Sequence, residues 1–172
     1  LRKQGLEHID RIVAASSYHD CPLLRKAIHT FKYGRIPALH EDLGKLLLSV
    51  AQYFEDDELL VLCPVPLHWS RRFSRGFNQS MLLGKIVAQE EGWAIADLLE
   101  RVRPTGHQTR RNRKERFDAM KNAFSLRRGI EIPSHVLLID DLATTGATLE
   151  NCAKALKEAG VKRVEALVVA HG

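Results

Sequence analysis

A short stretch near the end of the chain, residues 136–148, constrains the fold more than any other part of the sequence. It begins with four consecutive apolar residues, 136–139, and continues with two aspartates, Asp140 and Asp141. An apolar run of this length, bounded by polar residues, is typical of a strand that is buried on both faces of a parallel sheet. We therefore predict a central strand that ends in two carboxylates.

The residues that follow change the pattern from a strand to a helix. A run of small and hydroxylated side chains comes first: Ala143, Thr144, Thr145, Gly146, Ala147 and Thr148. Apolar residues then recur at helical spacing, at Leu149, Cys152, Ala153 and Leu156, and Gly160 is placed to end the helix. The run 143–148 is therefore predicted to be a loop that joins the strand to a helix N-terminus.

A loop of this kind suits an anion. Unpaired N–H groups and the dipole at a helix N-terminus attract phosphate, and small residues let it approach the backbone. A valine at Gly146 is then expected to occupy the space of the phosphate. Asp140 and Asp141 need another partner, and either the vicinal hydroxyls of a sugar or a hydrated Mg²⁺ carried by a polyphosphate would suit them. The stretch can thus hold a ribose together with its 5'-phosphate.

Two other interpretations of the aspartate pair are weaker. A receiver domain also begins with a strand that ends in two aspartates, but its phosphorylated aspartate lies two strands further on, and the chain ends too soon after Asp141 for that. A strand, turn and helix without any ligand is disfavoured, because two adjacent carboxylates at a buried strand end are costly to keep without a task.

The composition fits a single domain, since 172 residues with 45% hydrophobic content can bury a core. The formal net charge of +5 suits anionic ligands or nucleic acid, and it is also common in ordinary soluble proteins. The three cysteines are scattered without a CxxC pair, so neither a disulfide framework nor a zinc site is indicated. With no long apolar run and no signal peptide, we expect a cytoplasmic protein without a membrane span.

The first third of the chain has helical patterns. We predict helices over residues 1–15, 22–32 and 37–54, and hence an N-terminal helical region, residues 1–57, ahead of an α/β core, residues 58–172, in one compact domain. These helices are expected to cover the sheet and part of a ligand cleft. Lys32 could reach that cleft, although a solvated lysine on the surface is the favoured interpretation.

A second buried strand, residues 59–63, runs into two prolines separated by one residue, Pro64 and Pro66. Because proline fixes φ and excludes a helix, the chain must leave this strand in a stiff turn. The residues alone favour an ordinary proline turn. The alternative is a rigid loop that presents backbone N–H groups to an anion.

Basic residues follow in two groups. Arg71, Arg72 and Arg75 precede a helix that ends at Gly92, and their guanidinium groups suit phosphate oxygens as well as solvent. Residues 101–116 hold seven Lys or Arg against one acid, which is typical of a solvated, mobile segment. Further strands are predicted at residues 94–102, 122–126 and 164–170, and the last of them completes a βαβ unit of a parallel sheet.

Several common catalytic motifs do not occur in the sequence. It has no GxxxxGK[ST], no GxGxxG after a strand and no HExxH. P-loop hydrolysis, dinucleotide binding and zinc proteolysis are therefore not indicated, and neither is a serine or cysteine nucleophile.

The stretch 136–148 resembles the signature of the type I phosphoribosyltransferases, which bind phosphoribosyl pyrophosphate (PRPP). Over about residues 18–172 the chain resembles one branch of them, the ComF/GntX family of competence-associated proteins. The matching pieces are FKYG at 31–34, PVPL at 64–67, RRFSRGFNQS at 71–80, Gln108 with Arg116, and NAF at 122–124. The resemblance implies an α/β type I phosphoribosyltransferase fold, a mostly parallel twisted sheet flanked by helices, with an N-terminal helical region.

The resemblance also implies a role for each motif. Asp140 and Asp141 would be the catalytic residues and hold the ribose, and residues 143–148 would bind the 5'-phosphate. A pyrophosphate loop would consist of Val65, Pro66, Leu67 and His68, with backbone donors from Val65, Leu67 and His68. A basic, flexible arm would include Arg71, Arg72, Arg75, Gln108, Arg113 and Arg116. Within it, residues 104–114 would order over bound PRPP, and a permanently disordered surface loop is the alternative.

Cofactors and partners follow from the same resemblance. Mg²⁺ would be carried with PRPP. No zinc is expected, because the cysteine-rich zinc ribbon that often precedes this region in the family has no counterpart here, and a start at Leu1 rather than Met favours a missing leading segment. The predicted activity is transfer of ribose 5-phosphate to an unidentified acceptor with release of pyrophosphate, linked to DNA uptake. The alternative is a non-catalytic, PRPP-responsive module that acts with single-stranded DNA or a helicase-like partner in transformation.

Overall fold

The structure, a computed structural model, describes residues 6–34, 36, 38–54, 60–67, 76–102 and 123–172. Strands and helices follow one another along these residues in an order that is typical of an α/β protein. The elements are β1 Arg11–Ser17, α1 Pro22–Tyr33, α2 Leu39–Ala51, β2 Leu60–Pro64, α3 Gln79–Glu91, β3 Ala94–Ile95, β4 Leu99–Arg101, β5 Phe124–Leu126, β6 His135–Ala143, α4 Ala147–Glu158 and β7 Arg163–His171.

A five-stranded sheet with the order β1-β7-β6-β2-β3 forms the centre of the fold. All of its neighbouring strands run parallel. β6 is the central strand, with Ile139 opposite Pro64 of β2 on one side and Leu167 of β7 on the other. The predicted parallel α/β fold around the apolar run 136–139 is therefore confirmed.

The sheet separates two apolar cores, as the two-residue period of a strand requires. Leu137 and Ile139 of β6 face one core, which α1, α2 and α3 cover with side chains that include Phe31 and Leu47. Val136 and Leu138 face the other core, beneath α4 and the short strands β4 and β5. Each fully buried leucine or phenylalanine contributes about 1.5–3 kcal/mol relative to an exposed one, so both layers hold the sheet in place.

The predicted first helix, residues 1–15, is wrong from Arg11 onward, where the chain forms β1. This strand pairs with β7 and places Arg11 opposite Glu165. The apolar spacing of Ile9, Ile12 and Val13 fits one face of a helix, but Ile12 and Val13 are β-branched and β7 offers a partner that only the tertiary structure reveals. The helices predicted over 22–32 and 37–54 are confirmed as α1 and α2. The division after residue 57 stays a prediction, since residues 55–59 are outside the described ranges.

Two other regions differ from the predicted boundaries. Residues 94–102 form two strands rather than one: β3 joins the main sheet, whereas β4 pairs antiparallel with β5. β6 extends through Ala143, so both aspartates and the first residue of the predicted loop belong to the strand. The last predicted strand is confirmed as β7. In the part of the chain that the structure describes, no helix has the length and apolar character needed to cross a membrane.

Candidate functional site

A cleft of about 160 Å³ opens beside the C-terminal ends of β2 and β6. In parallel α/β sheets, ligands bind beyond the carboxyl ends of the strands, so this is the expected position for a site. The lining residues come from β6, the turn after β2, the end of α1, the start of α3, β4 and the start of α4. They are Lys32, Tyr33, Val65, Pro66, Leu67, Gln79, Ser80, Arg101, Asp140, Asp141, Leu142 and Thr148.

Asp140 is held by two hydrogen bonds to the same oxygen. The Ser80 hydroxyl donates to Oδ1 at 2.9 Å, and the backbone N–H of Asp141 donates to it at 2.9 Å. Burial, and next the negative charge of Asp141, raise the pKa of Asp140 from 3.8 to about 6, while Lys32 and the two hydrogen bonds limit the rise. The ionised form that a sugar hydroxyl needs as its acceptor is thus less stable here than in water.

Asp141 forms an ion pair with Lys32. Nζ of Lys32 lies 2.7 Å from Oδ1 of Asp141, and the two side chains are only 20% and 5% exposed. The favoured interpretation of Lys32 as a solvated surface residue is therefore wrong. Phe31, which precedes Lys32 in the last turn of α1, is fully buried, and Lys32 lines the cleft. The cleft accordingly holds two carboxylates and at least one cation.

The start of α3 connects the proline turn to the aspartates. Asn78 caps the helix, since its side chain accepts a hydrogen bond from the Ser80 N–H at 3.1 Å. Its amide also donates to the Val65 carbonyl at 3.3 Å. These contacts place the Ser80 hydroxyl against Asp140. Sequence reasoning identified the helix but missed Gln79 and Ser80 as lining residues, although an asparagine just before a helix is a recognisable N-cap.

The turn after β2 lines the cleft, but one of its predicted backbone N–H donors, that of Val65, is already hydrogen-bonded within the protein. The Val65 N–H donates to the Ile139 carbonyl at 3.0 Å, so this group extends the sheet and is not offered to a ligand. The expectation that Val65 supplies a backbone donor is therefore wrong. Pro66 and Leu67 border the cleft, and His68 lies outside the described residues.

Of the predicted phosphate loop, residues 143–148, Thr148 lines the cleft, and it lies in the first turn of α4. Gly146 precedes α4 with φ of 74°, a conformation that glycine adopts without strain. A Cβ atom built on Gly146 would lie 3.1 Å from a methyl group of Leu6. A valine side chain at Gly146 would therefore meet Leu6, and the expectation that it occupies the phosphate space stays a prediction. The Ala147 N–H is directed to the Thr145 hydroxyl at 3.4 Å.

Of the basic run 101–116, the structure describes only the first two residues, Arg101 and Val102. Arg101, in β4, lines the cleft, and its guanidinium group lies 5.4 Å from the centre of the Phe124 ring. Sequence reasoning counted Arg101 in the basic run but did not place it at the site. All six residues predicted for the basic arm lie outside the described ranges: Arg71, Arg72, Arg75, Gln108, Arg113 and Arg116.

Comparison with known proteins identifies the family. Residues 93–172 match the family model described as a phosphoribosyl transferase domain. Over 164 residues, 90% of this chain and 69% of the relative, the sequence is 35% identical to the DNA utilization protein YhgH of Salmonella typhi. The chain belongs to the ComF-like family of phosphoribosyltransferase-fold proteins.

Two further relatives have names that refer to competence. The competence protein ComFC of Streptococcus pneumoniae is 40% identical over 101 residues, which is 59% of this chain and 43% of the relative. The competence protein F of Haemophilus influenzae is 36% identical over 110 residues, or 60% and 47% of the two chains. The family model over residues 93–172 and the five-stranded parallel sheet confirm the type I phosphoribosyltransferase fold that the sequence predicts.

Proposed function

We propose that this protein binds PRPP with Mg²⁺ in the cleft and transfers its ribose 5-phosphate group to an acceptor, with release of pyrophosphate. The observation that carries the proposal is the position of Asp140 and Asp141. Both lie at the carboxyl end of the central strand, and Thr148, at the start of a helix, lines the same cleft. Carboxylates beside a helix N-terminus match the two halves of a ribose 5-phosphate, its hydroxyls and its phosphate.

The two aspartates have a second task during the reaction. As the bond between the anomeric carbon and pyrophosphate breaks, positive charge develops on the sugar ring, as it does in glycoside hydrolysis. Asp140 and Asp141 stabilise that charge because they are fixed in a partly dry site before the reaction begins. The raised pKa of Asp140 shows that its negative charge is incompletely compensated in the free protein. Such a buried anion interacts strongly with the positive charge that develops on the sugar.

Mg²⁺ suits the oxygen ligands of this site when it arrives with the phosphates of PRPP. When bound, it neutralises charge on the leaving pyrophosphate. Lys32 lies 2.7 Å from Asp141, and this ammonium group opposes direct coordination of a cation by that carboxylate. We therefore propose that the pyrophosphate, rather than Asp141, would supply most of the ligands for Mg²⁺. Lys32 itself is placed to balance the charge of the aspartates.

Calorimetry tests the binding step. Titration with PRPP and Mg²⁺ should show binding that weakens when EDTA is added. ATP with Mg²⁺ is the matched control, because it carries its polyphosphate on the 5' oxygen of ribose and not on the anomeric carbon. Equal affinity for ATP and PRPP would contradict the proposal. Incubation with PRPP, Mg²⁺ and a panel of bases or cell extracts, followed by measurement of released pyrophosphate, then tests transfer.

A second candidate function is a PRPP-responsive binding module without turnover, acting with single-stranded DNA or a helicase-like partner. It is supported by relatives whose names refer to DNA utilization and competence and by the net charge of +5. Phosphate contacts from Lys and Arg should make DNA binding weak and strongly dependent on salt. PRPP binding without pyrophosphate release, together with salt-sensitive DNA binding, would favour this candidate. Absence of DNA binding at low salt would exclude the nucleic-acid part.

A further inference from the structure

A short N-terminal segment, residues 6–10, crosses the N-terminal end of α4. We call it the strap. It is held by Glu150, which lies in the first turn of α4 and is only 6% exposed. The Glu150 carboxylate accepts hydrogen bonds from the backbone N–H groups of Glu7 at 2.9 Å, His8 at 3.0 Å and Ile9 at 3.3 Å. The His8 ring nitrogen Nδ1 lies 2.6 Å from the same carboxylate.

The other end of the strap is fixed to the sheet. The Asp10 carboxylate accepts hydrogen bonds from the Val164 N–H and from Nζ of Lys157, both at 2.7 Å. The Asp10 N–H donates to the Val164 carbonyl at 2.8 Å. The strap is thus attached to α4 by Glu150 and to β7 by Asp10, and it cannot shift without breaking these hydrogen bonds.

Ahead of these attachments, the first residue of the strap packs against the loop that is proposed to bind phosphate. Leu6 is 2% exposed and lies over Gly146, so closely that a Cβ atom on Gly146 would be 3.1 Å from its side chain. Glycine at positive φ has wide conformational freedom, and a loop that contains it must be restrained from outside if its N–H groups are to point at one anion. Leu6 supplies such a restraint directly on Gly146.

We propose that Glu150 is a positioning residue, which holds the strap against Gly146 and so fixes the backbone of residues 145–148 for the 5'-phosphate. This inference rests on the proposed function. Glu150 does not line the cleft, so it acts on the phosphate site only through its hydrogen bonds to the strap. A loop fixed in advance binds phosphate more tightly, since less conformational entropy is lost on binding.

Two probes that occupy different parts of the site provide the test. Ribose 5-phosphate should need the loop 145–148, whereas pyrophosphate with Mg²⁺ should bind nearer to the turn after β2. Glu150→Gln replaces one acceptor oxygen by a donor that opposes the backbone N–H groups of the strap. We expect it to weaken ribose 5-phosphate binding by about tenfold, the usual effect of losing a residue that orients a ligand-binding group, and to leave pyrophosphate binding unchanged.

The matched control is Glu158→Gln on the same helix, because Glu158 is 65% exposed. It should change neither affinity. Leu6→Ala is the second variant, and it should reproduce the selective loss because it removes the contact with Gly146 while leaving Glu150 intact. If Glu150→Gln fails to fold, Leu6→Ala alone decides. Equal weakening of both probes, or no weakening of ribose 5-phosphate binding, would overturn the inference.

Hydrogen exchange separates this inference from the proposed function. In the free protein, the amides of residues 145–148 should exchange faster in Glu150→Gln and Leu6→Ala than in the wild type. If the wild-type protein binds neither probe, the proposed function fails, and unchanged exchange rates in the variants would then reject the strap as well. Faster exchange would show that the strap fixes the loop whatever ligand the loop receives.

Discussion

The two ends of β6 both carry buried charged groups, but they are compensated in different ways. At its start, the His135 ring lies 2.9 Å from the Glu165 carboxylate. The same carboxylate lies 2.6 Å from Nε of Arg11 and 3.1 Å from Nε of Arg163. At the end of β6, Asp140 and Asp141 face the cleft beside Lys32.

The comparison shows which end of the strand is prepared for a ligand. At the start, one carboxylate is surrounded by two guanidinium groups and an imidazole, so the protein itself supplies the positive charge. At the end, two carboxylates lie side by side, and burial together with Asp141 raises the pKa of Asp140 to about 6. A folded protein that retains such an arrangement loses stability, and binding sites are where that loss is commonly tolerated.

Removal of the carboxylate at the start of β6 should have the largest effect on stability. Glu165→Ala leaves the buried His135 and the two arginines without their shared acceptor, and breaking a buried ion pair from one side costs about 3 kcal/mol. PRPP binding by the folded variant should not change, because Glu165 does not line the cleft. Urea unfolding measures the first effect and calorimetry the second.

The control for this variant is Glu158→Gln, which alters an exposed carboxylate and should change stability by less than about 0.5 kcal/mol. If Glu165→Ala loses no more stability than this control, the ion cluster at the start of β6 is not structural. If it loses PRPP binding while folded, the two ends of the strand are not independent, and the comparison fails.

Asp140→Asn should have the opposite pair of effects. The pKa of Asp140 is about 6 in the folded protein and 3.8 for an ordinary aspartate, so the folded state binds more protons between these values. The contribution of this group to stability is therefore greatest below about pH 4 and falls as the pH rises towards 6. Asparagine removes the charge, so the variant should be more stable than the wild type at pH 7, by about 3 kcal/mol.

Binding by Asp140→Asn should fall while stability rises. We expect PRPP affinity to drop by about a hundredfold, the loss expected for two charge-assisted hydrogen bonds. Unfolding measured at pH 4.5 and pH 7.5 isolates the effect of the carboxyl group, since the gain in stability should fall to about a third at the lower pH. A variant that is less stable than the wild type at pH 7.5 would contradict the pKa assignment.

Lys32→Met tests the role of the ammonium group that partly neutralises the two aspartates. Without the ammonium group, less positive charge offsets the repulsion between the two carboxylates and the incoming phosphates, and we expect PRPP binding to weaken by about tenfold, or about 1.4 kcal/mol. Lys26→Met is the matched control, because Lys26 lies on the same helix and is exposed. If calorimetry shows equal affinities for the two variants, Lys32 does not contribute to PRPP binding.

The sequence predicted the centre of this fold better than its edge. The apolar run 136–139 and the helical spacing from Leu149 to Leu156 were sufficient for β6 and α4, because both patterns are local. The first strand was not predictable in this way, since Ile12 and Val13 fit a helix stripe as well as a strand. Their choice depends on pairing with β7, which is distant in sequence.

The candidate site shows the same division. Asp140, Asp141 and Thr148 could be predicted, because one continuous stretch contains the strand end and the helix start. Lys32 and Ser80 could not, because their roles arise from α1 and α3 folding over the carboxyl end of the sheet. The Val65 donor was misassigned for the converse reason, since its partner at Ile139 belongs to the neighbouring strand.

Ser80→Ala should have the smallest effect and makes the comparison sharper. The Ser80 hydroxyl donates to Asp140 at 2.9 Å and lowers the pKa of that carboxyl. Its removal should raise the pKa of Asp140 further and weaken PRPP binding by about 1 kcal/mol, the usual contribution of one hydrogen bond. NMR titration of the Asp140 carboxyl carbon measures the pKa. The control is Ser49→Ala, which removes an exposed hydroxyl that bonds to the Leu46 carbonyl.

A lower pKa in Ser80→Ala than in the wild type would mean that the Ser80 hydroxyl does not stabilise the ionised carboxylate. The ionised form of Asp140 would then be stabilised by Lys32 and the Asp141 N–H without help from Ser80.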